Sequence, residues 1–263
     1  MKTNWKLFII LLIASIFGFF AVLPYTITLL GGLTKIPVSP ELFIVGQLIQ
    51  AIIEFSIAIF IGLTLAKKVG LSLPVIEGWL EGKSVKDYFI SILPISIILG
   101  IIAGILIIGF DYLFSFAGAV VNVTASQFTP PAWQGLLASF YGGINEEILT
   151  RLFLMTLLLW VIFKVFGWIL FRKTKIEKPT KAMIWSAIIL AAILFGAGHL
   201  PALAAITTLT PILVARTIIL NSVGGIIFGW LYWKKGLESA MVAHFSADIV
   251  LHVIPALILV NTI

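Results

Sequence analysis

Apolar runs of about twenty residues or more recur along the chain, broken by short polar stretches, at roughly 7–29, 42–66, 88–110, 132–170, 182–209, 212–233 and 238–260. At about 1.5 Å of rise per residue such runs match a hydrocarbon layer about 30 Å thick. The pattern therefore predicts an all-α polytopic transmembrane helical bundle of about seven spans. The fourth run is too long for one simple crossing, since forty helical residues would extend about 60 Å. Gly142-Gly143 is the expected break, with a second helix from Ile144, which would raise the count to eight. The first run follows Lys2 and Lys6 like a signal peptide, but it lacks a small-x-small cleavage pattern and exceeds the usual apolar length, so it is read as a span. No internal repeat is visible. Residues 1–131 read as spans without motifs, 132–263 as a catalytic core, and the two together as a single membrane domain.

Small residues four apart, Gly100 with Gly104 and Gly225 with Gly229, predict close helix packing. Composition agrees with the membrane reading. The 263 residues are 61% hydrophobic and 11% charged, with a mean hydropathy of +1.18. An ordinary soluble domain carries about 25% charged residues. The absence of cysteine excludes disulfides, a thiol nucleophile and Cys-ligated zinc.

The net charge of +6 does not point to nucleic acid, because the cations sit in short clusters between apolar runs. Lys2 and Lys6; Lys67, Lys68, Lys83 and Lys86; Arg172, Lys173, Lys175, Lys178 and Lys181; and Lys234 with Lys235 occupy alternate ends, against Lys35 opposite. The positive-inside rule puts these clusters and the N-terminus in the cytoplasm. An integral protein of a prokaryotic plasma membrane, in contact with lipid and a membrane-associated substrate, is expected. Trp168, Trp185, Tyr232 and Trp233 read as the aromatic belt of the inner interface.

Polar residues inside the runs carry the candidate chemistry: Glu54, Glu146, Glu147, Arg151, His199, Arg216, His244, Asp248 and His252. A charge at mid-bilayer costs roughly 2.5–3.5 kcal/mol, so each requires a partner, a wet cavity or a function. Glu147 with Arg151, and His244 with Asp248, are four apart and share a helix face. Glu146 lies about 100° from Glu147. A purely structural design would need one counter-ion for Arg151, not two adjacent glutamates. Two histidines and one or two carboxylates from three helices form a set able to hold a metal or activate water. Glu54 and Arg216 read as an interhelical ion pair, or Arg216 as a residue near the outer end of its span that reaches water. His252 projects about 80° away from His244 on a straight helix, and Asn221, Gln127 and Asn145 are candidates for an access path.

These residues resemble a known family. Glu146-Glu147-Ile-Leu-Thr-Arg151 is similar to its EExxxR motif, Phe195-Gly-Ala-Gly-His199 to FxxxH, and His244-Phe-Ser-Ala-Asp248 to Hxxx(N/D). The family is the CPBP or Abi group of intramembrane proteases, which includes the Ras-converting-enzyme-type CAAX proteases and bacterial proteins tied to bacteriocin processing or self-immunity. The resemblance covers residues 132–260. It implies peptide hydrolysis in a membrane-associated substrate, prenylated or a peptide precursor, with Glu146, Glu147, Arg151, His199, His244 and Asp248 as site residues. Asp248 departs from the commoner Asn, and could orient His244 or pair with Arg151.

Two mechanisms fit. In one, Glu147, His199 and His244 hold Zn²⁺ and the other glutamate is the base. In the other, which the relatives favour, a glutamate and His199 activate water directly while His244 and Asp248 steady the oxyanion. The sequence leaves open which glutamate is the base. A proton-coupled transporter using the same groups, and a non-catalytic immunity or scaffold protein, are the rival classes. Counted from the inner belt, Glu147 and His199 come out about 20 Å deep and His244 about 10 Å. A kink at Pro201 or the glycine break has to close that gap. Glu147, His199 and His244 are expected to meet in one cavity that opens to the cytoplasm, with the loop around 111–131 as bystander structure.

Overall fold

The computed structural model describes residues 4–32, 38–119, 130–170, 177–205 and 207–260. Lys2, Lys35, Gln127, Arg172, Lys173 and Lys175, and the side chain of Trp168, lie outside the described residues. The elements are α1 (Trp5–Leu29), α2 (Pro40–Val69), α3 (Pro74–Leu80), α4 (Lys86–Phe116), α5 (Ala132–Val165), α6 (Lys181–Gly198), α7 (Leu200–Ala204), α8 (Pro211–Lys235) and α9 (Leu237–Ile258). Seven spans result, α6 and α7 forming one of them and α3 none. No strand occurs among the described residues.

Helix starts follow local chemistry. The side chains of Asn4, Ser39, Thr180 and Thr210 accept from the backbone N–H of Leu7, Leu42, Met183 and Leu213, and Pro40 and Pro211 open their helices where no N–H is needed. α2 and α8 end with Lys67-Lys68 and Lys234-Lys235 in their last turns, where cations complement the helix dipole. The hairpin into α9 turns at Gly236 (φ +95°), where a side chain would collide with Pro74. Glu238 then bridges back: its Oε1 accepts from the amides of Val75 (3.0 Å) and Ile76 (2.9 Å), satisfying the start of α3.

The expected break at Gly142-Gly143 is not there. α5 is one continuous helix, and its 34 residues exceed the hydrocarbon thickness, so it must protrude or tilt. What changes at the glycines is winding: Tyr141–Glu146 and Ile148–Met155 are π-helical, as is Ile249–Val253 in α9. Such wide turns redirect side chains without ending the helix. The glycines serve close approach, a Cβ on Gly143 falling 2.9 Å from the Met241 carbonyl of α9.

The small-residue pairs pack as expected. Gly100 and Gly104 of α4 lie against Ala243, Ala247 and Val250 of α9, and Gly225 and Gly229 of α8 against Ala192 and Ile188 of α6. α5 and α9 are central, α5 flanked by α1 and α2 and α9 by α4 and α8. Fewer than two residues in five of any span are buried; large apolar side chains such as Ile53, Ile105, Leu194 and Ile258 point outward, as lipid-facing surfaces require.

The buried core is concentrated toward one end. Leu7 and Leu11 of α1, Ile59 and Ala66 of α2, Leu152, Met155 and Leu159 of α5, Ile184 and Ile188 of α6, Leu231 and Tyr232 of α8, and Leu237 and Ala240 of α9 interlock there. The described basic clusters flank this end. Trp185 packs edge-on to Trp233 (6.2 Å), and Lys234 Nζ sits 3.6 Å over the Trp233 ring. Tyr232 does not join that belt: it is 1% exposed and its hydroxyl lies 3.2 Å from Thr156 Oγ1.

Candidate active site

α5 brings two adjacent glutamates to different surroundings. Glu147 is fully buried, and its Oε1 accepts from Arg151 Nη1 (3.0 Å) one turn later. The Arg151 guanidinium, itself buried, also donates to Thr150 Oγ1 and lies over the rings of Phe195 (5.0 Å) and Phe228 (5.3 Å). Glu146 keeps about a quarter of its side chain exposed and faces a cavity. About 100° of helix rotation separates an ion-paired strut from an accessible carboxylate.

His199 stands where α6 stops and the Pro201-bearing α7 begins, so the kink expected at Pro201 falls on the histidine itself. Its Nδ1 meets the Phe195 carbonyl at 2.9 Å. A carbonyl only accepts, so Nδ1 carries the proton and Nε2 is the basic nitrogen. Phe195 also touches the His199 ring edge-on (4.7 Å).

α9 supplies the third group. His244 Nδ1 bonds Glu147 Oε1 (2.7 Å), and Phe228 stacks on its ring at 4.7 Å. The ring is thereby fixed with Nε2 toward Glu146 Oε2 (3.6 Å) and Asp248 Oδ1 (3.7 Å). Asp248 lies beside His244 and not on Arg151, which Glu147 holds. Asp248 Oδ1 is also 3.9 Å from His252 Nε2, and the Tyr25 hydroxyl of α1 sits 3.2 Å from His252 Nδ1. The π turn at Ile249–Val253 rotates each residue by less than an α-helix does, which swings His252 back toward the stripe of His244.

Glu146, His199, His244, Asp248 and His252 line one cavity of about 940 Å³. Glu147 does not; it stands behind His244, a correction to the expectation that Glu147 itself reaches the cavity. The walls include residues that carry no motif: Tyr25, Leu29 and Leu30 of α1, Ile107, Ile108 and Asp111 of α4, Tyr141 of α5, and Leu203 and Ala205 near α7. Those positions are the helix ends remote from the basic clusters. Among the described residues the cavity walls therefore extend away from the lysine-rich face, whereas the sequence reading expects an opening toward it. Asp111 forms part of its wall, so that end of the 111–131 loop is not a bystander; residues 120–129 lie outside the described residues.

Arg216, at the rim, pairs with Asp111 (Nε to Oδ1, 2.5 Å), not with Glu54, which is exposed on α2. Asn221 lines the cavity and donates to the Thr217 carbonyl (2.8 Å). Asn145 is fully buried away from it, donating to the Ser15 carbonyl of α1 (2.9 Å), where Gly18 leaves room for its side chain.

A zinc site from Glu147, His199 and His244 does not fit this arrangement. Glu147 Oε1 is shared by Arg151 and His244 Nδ1, and among the described residues no group of three His, Asp or Glu side chains is disposed to hold a metal ion. Tyr25 and Asp111 were the functional-wall residues that sequence reasoning passed over. Tyr25 carries a hydroxyl inside an apolar run, which was the one available signal.

Residues 128–250 match the family described as Type II CAAX prenyl endopeptidase Rce1-like. The matched stretch holds all three motifs and somewhat under half of the chain. Comparison with curated proteins and with solved structures gave no match. The likeness supports a CAAX-type intramembrane protease at the level of the family.

Proposed function

We propose that this chain is an intramembrane endopeptidase in which Glu146 is the general base. The observation that carries the reading is the meeting of Glu146, His199 and His244, from three helices, on one cavity. Glu146 takes a proton from water, and His199 Nε2 orients the same water by accepting its other hydrogen. The hydroxide attacks the scissile carbonyl, and the oxyanion that forms faces His244. In its imidazolium form His244 donates Nδ1–H to Glu147 and Nε2–H to that oxyanion. Collapse breaks the C–N bond as the proton held by Glu146 passes to the leaving amine.

Glu147 and Arg151 act through His244 and are positioning residues. Their buried ion pair fixes the imidazole before substrate arrives, so little reorganisation is left for the reaction step. Asp248 sets a carboxylate oxygen 3.7 Å from Nε2, on the side of the ring that faces the cavity.

The test is hydrolysis of a fluorogenic apolar peptide by the purified protein in detergent. Glu146→Gln keeps volume and removes the base, so turnover should vanish while thermal unfolding is unchanged. Full activity in that variant would refute the assignment. Prolonged chelation should leave the rate unaltered; a loss restored by Zn²⁺ would return the metal alternative.

A further inference from the structure

We propose that the cavity faces the extracytoplasmic side, and that its substrate is an apolar membrane-anchored segment of an exported peptide or protein, not the cytoplasmic tail of a lipid-anchored one. This rests on the protease reading for the word substrate, but its geometry does not.

Two independent observations point the same way. The first is charge. Nine of the twelve described Lys and Arg residues belong to the clusters at one end of the bundle. The walls of the cavity run to the other end: Leu30 is the C-cap of α1, Asp111 lies in the last two turns of α4, Ala205 follows α7, and Arg216 is in the second turn of α8. At the rim Arg216 is paired with Asp111, so among the described residues the asymmetry survives there. Clusters of Lys and Arg beside span ends are retained in the cytoplasm.

The second observation is closure. From the basic end, any segment heading for Glu146 meets the interlocked layer of Leu11, Leu152, Met155, Ile188 and Leu231, each at most 1% exposed. From the other end no such layer stands in the way among the described residues. The cavity walls are largely aliphatic, including Val22, Leu29, Ile108 and Leu251, and the volume of about 940 Å³ lies near the top of the range for small-ligand pockets. An apolar stretch of peptide suits that lining, and a highly charged one does not.

The chain has no cysteine, so single cysteines report sidedness directly. Ser84→Cys lies in the basic loop before α4, Ala117→Cys beyond its far end, and Ala205→Cys at the cavity mouth; all three positions are exposed. With a membrane-impermeant maleimide on intact cells, positions 117 and 205 should label, and 84 only after permeabilisation. Labelling at 84 in intact cells, or at 205 only after permeabilisation, would overturn the proposal. In a second arm the unmodified chain in right-side-out and inverted vesicles receives an impermeant fluorogenic apolar peptide from outside. Cleavage should be confined to right-side-out vesicles, and cleavage confined to inverted ones counts against the proposed access side. Absence of cleavage in both, with labelling as expected, would uphold the access side and strike only at the protease reading.

Discussion

The two ends of this bundle are built on opposite principles. At the lysine-rich end, leucines, isoleucines and small residues from α1, α2, α5, α6, α8 and α9 interlock, and Glu238 ties α9 to the start of α3 through its Oε1. At the other end α1, α4, α5, α6, α8 and α9 surround a cavity lined by carboxylates and imidazoles. Glu147 and Arg151 lie at the boundary. The closed end holds the helices in register, and the open end uses that rigidity to keep polar groups apart from lipid yet available. The division suits the proposed reaction, because peptide hydrolysis consumes water, which a close-packed layer would exclude.

Mutations matched across the boundary sharpen that contrast. Largest should be Glu146→Gln, which removes the proposed general base and should lower turnover by about 10²–10⁴-fold with no change in unfolding temperature. Glu147→Gln should lower both, since it leaves Arg151 buried without its counter-ion. Arg151→Ala comes next: breaking a buried pair costs roughly 3–5 kcal/mol of stability. By contrast Arg216→Ala, at the rim, should cost no more than about 1 kcal/mol. Equal losses from the two arginines, measured by denaturation in detergent, would break the comparison.

The same logic applies to aliphatic residues. Leu152→Ala, in the closed layer, should destabilise by about 2–5 kcal/mol. Leu251→Ala, on the cavity wall, already borders open space and should cost well under that. Smallest should be His252→Gln, which removes an imidazole 3.9 Å from Asp248. Its expected signature is a shifted pH profile of turnover with stability unchanged, and an unaltered profile would show that His252 only lines the wall.

Much of this was legible in sequence, because a span is a matter of length and hydropathy, and a motif such as Glu146-Glu147 with Arg151 is a matter of spacing. The seven spans and the glycine contacts follow from such local rules. What escaped was everything that depends on winding and tilt. A straight α-helix gives no reason to expect Glu146 rather than Glu147 on the cavity wall, where Glu146 stands in a helix with π turns on either side of Glu147. Depth counted at a fixed rise per residue misjudged the cavity direction, since it treats tilted and widened helices as vertical rods. The pairing of Arg216 with Asp111 was missed for a related reason: Asp111 looked like an ordinary span-end charge until α4 and α8 were packed together.

Gly142 shows where stability and chemistry oppose each other in this fold. Its backbone is helical, so alanine would fit the local conformation and favour the helix by about 1 kcal/mol. Yet a methyl group there would collide with Asp248 Oδ2 and stand 3.2 Å from His244 Nε2, filling the floor of the cavity. Helix propensity alone would draw a lineage to that alanine, and the packing of Asp248 and His244 on the cavity floor would hold it at glycine. The residue is thus a position at which an evolutionary history of activity would leave a trace, because nothing in helix energetics asks for glycine there.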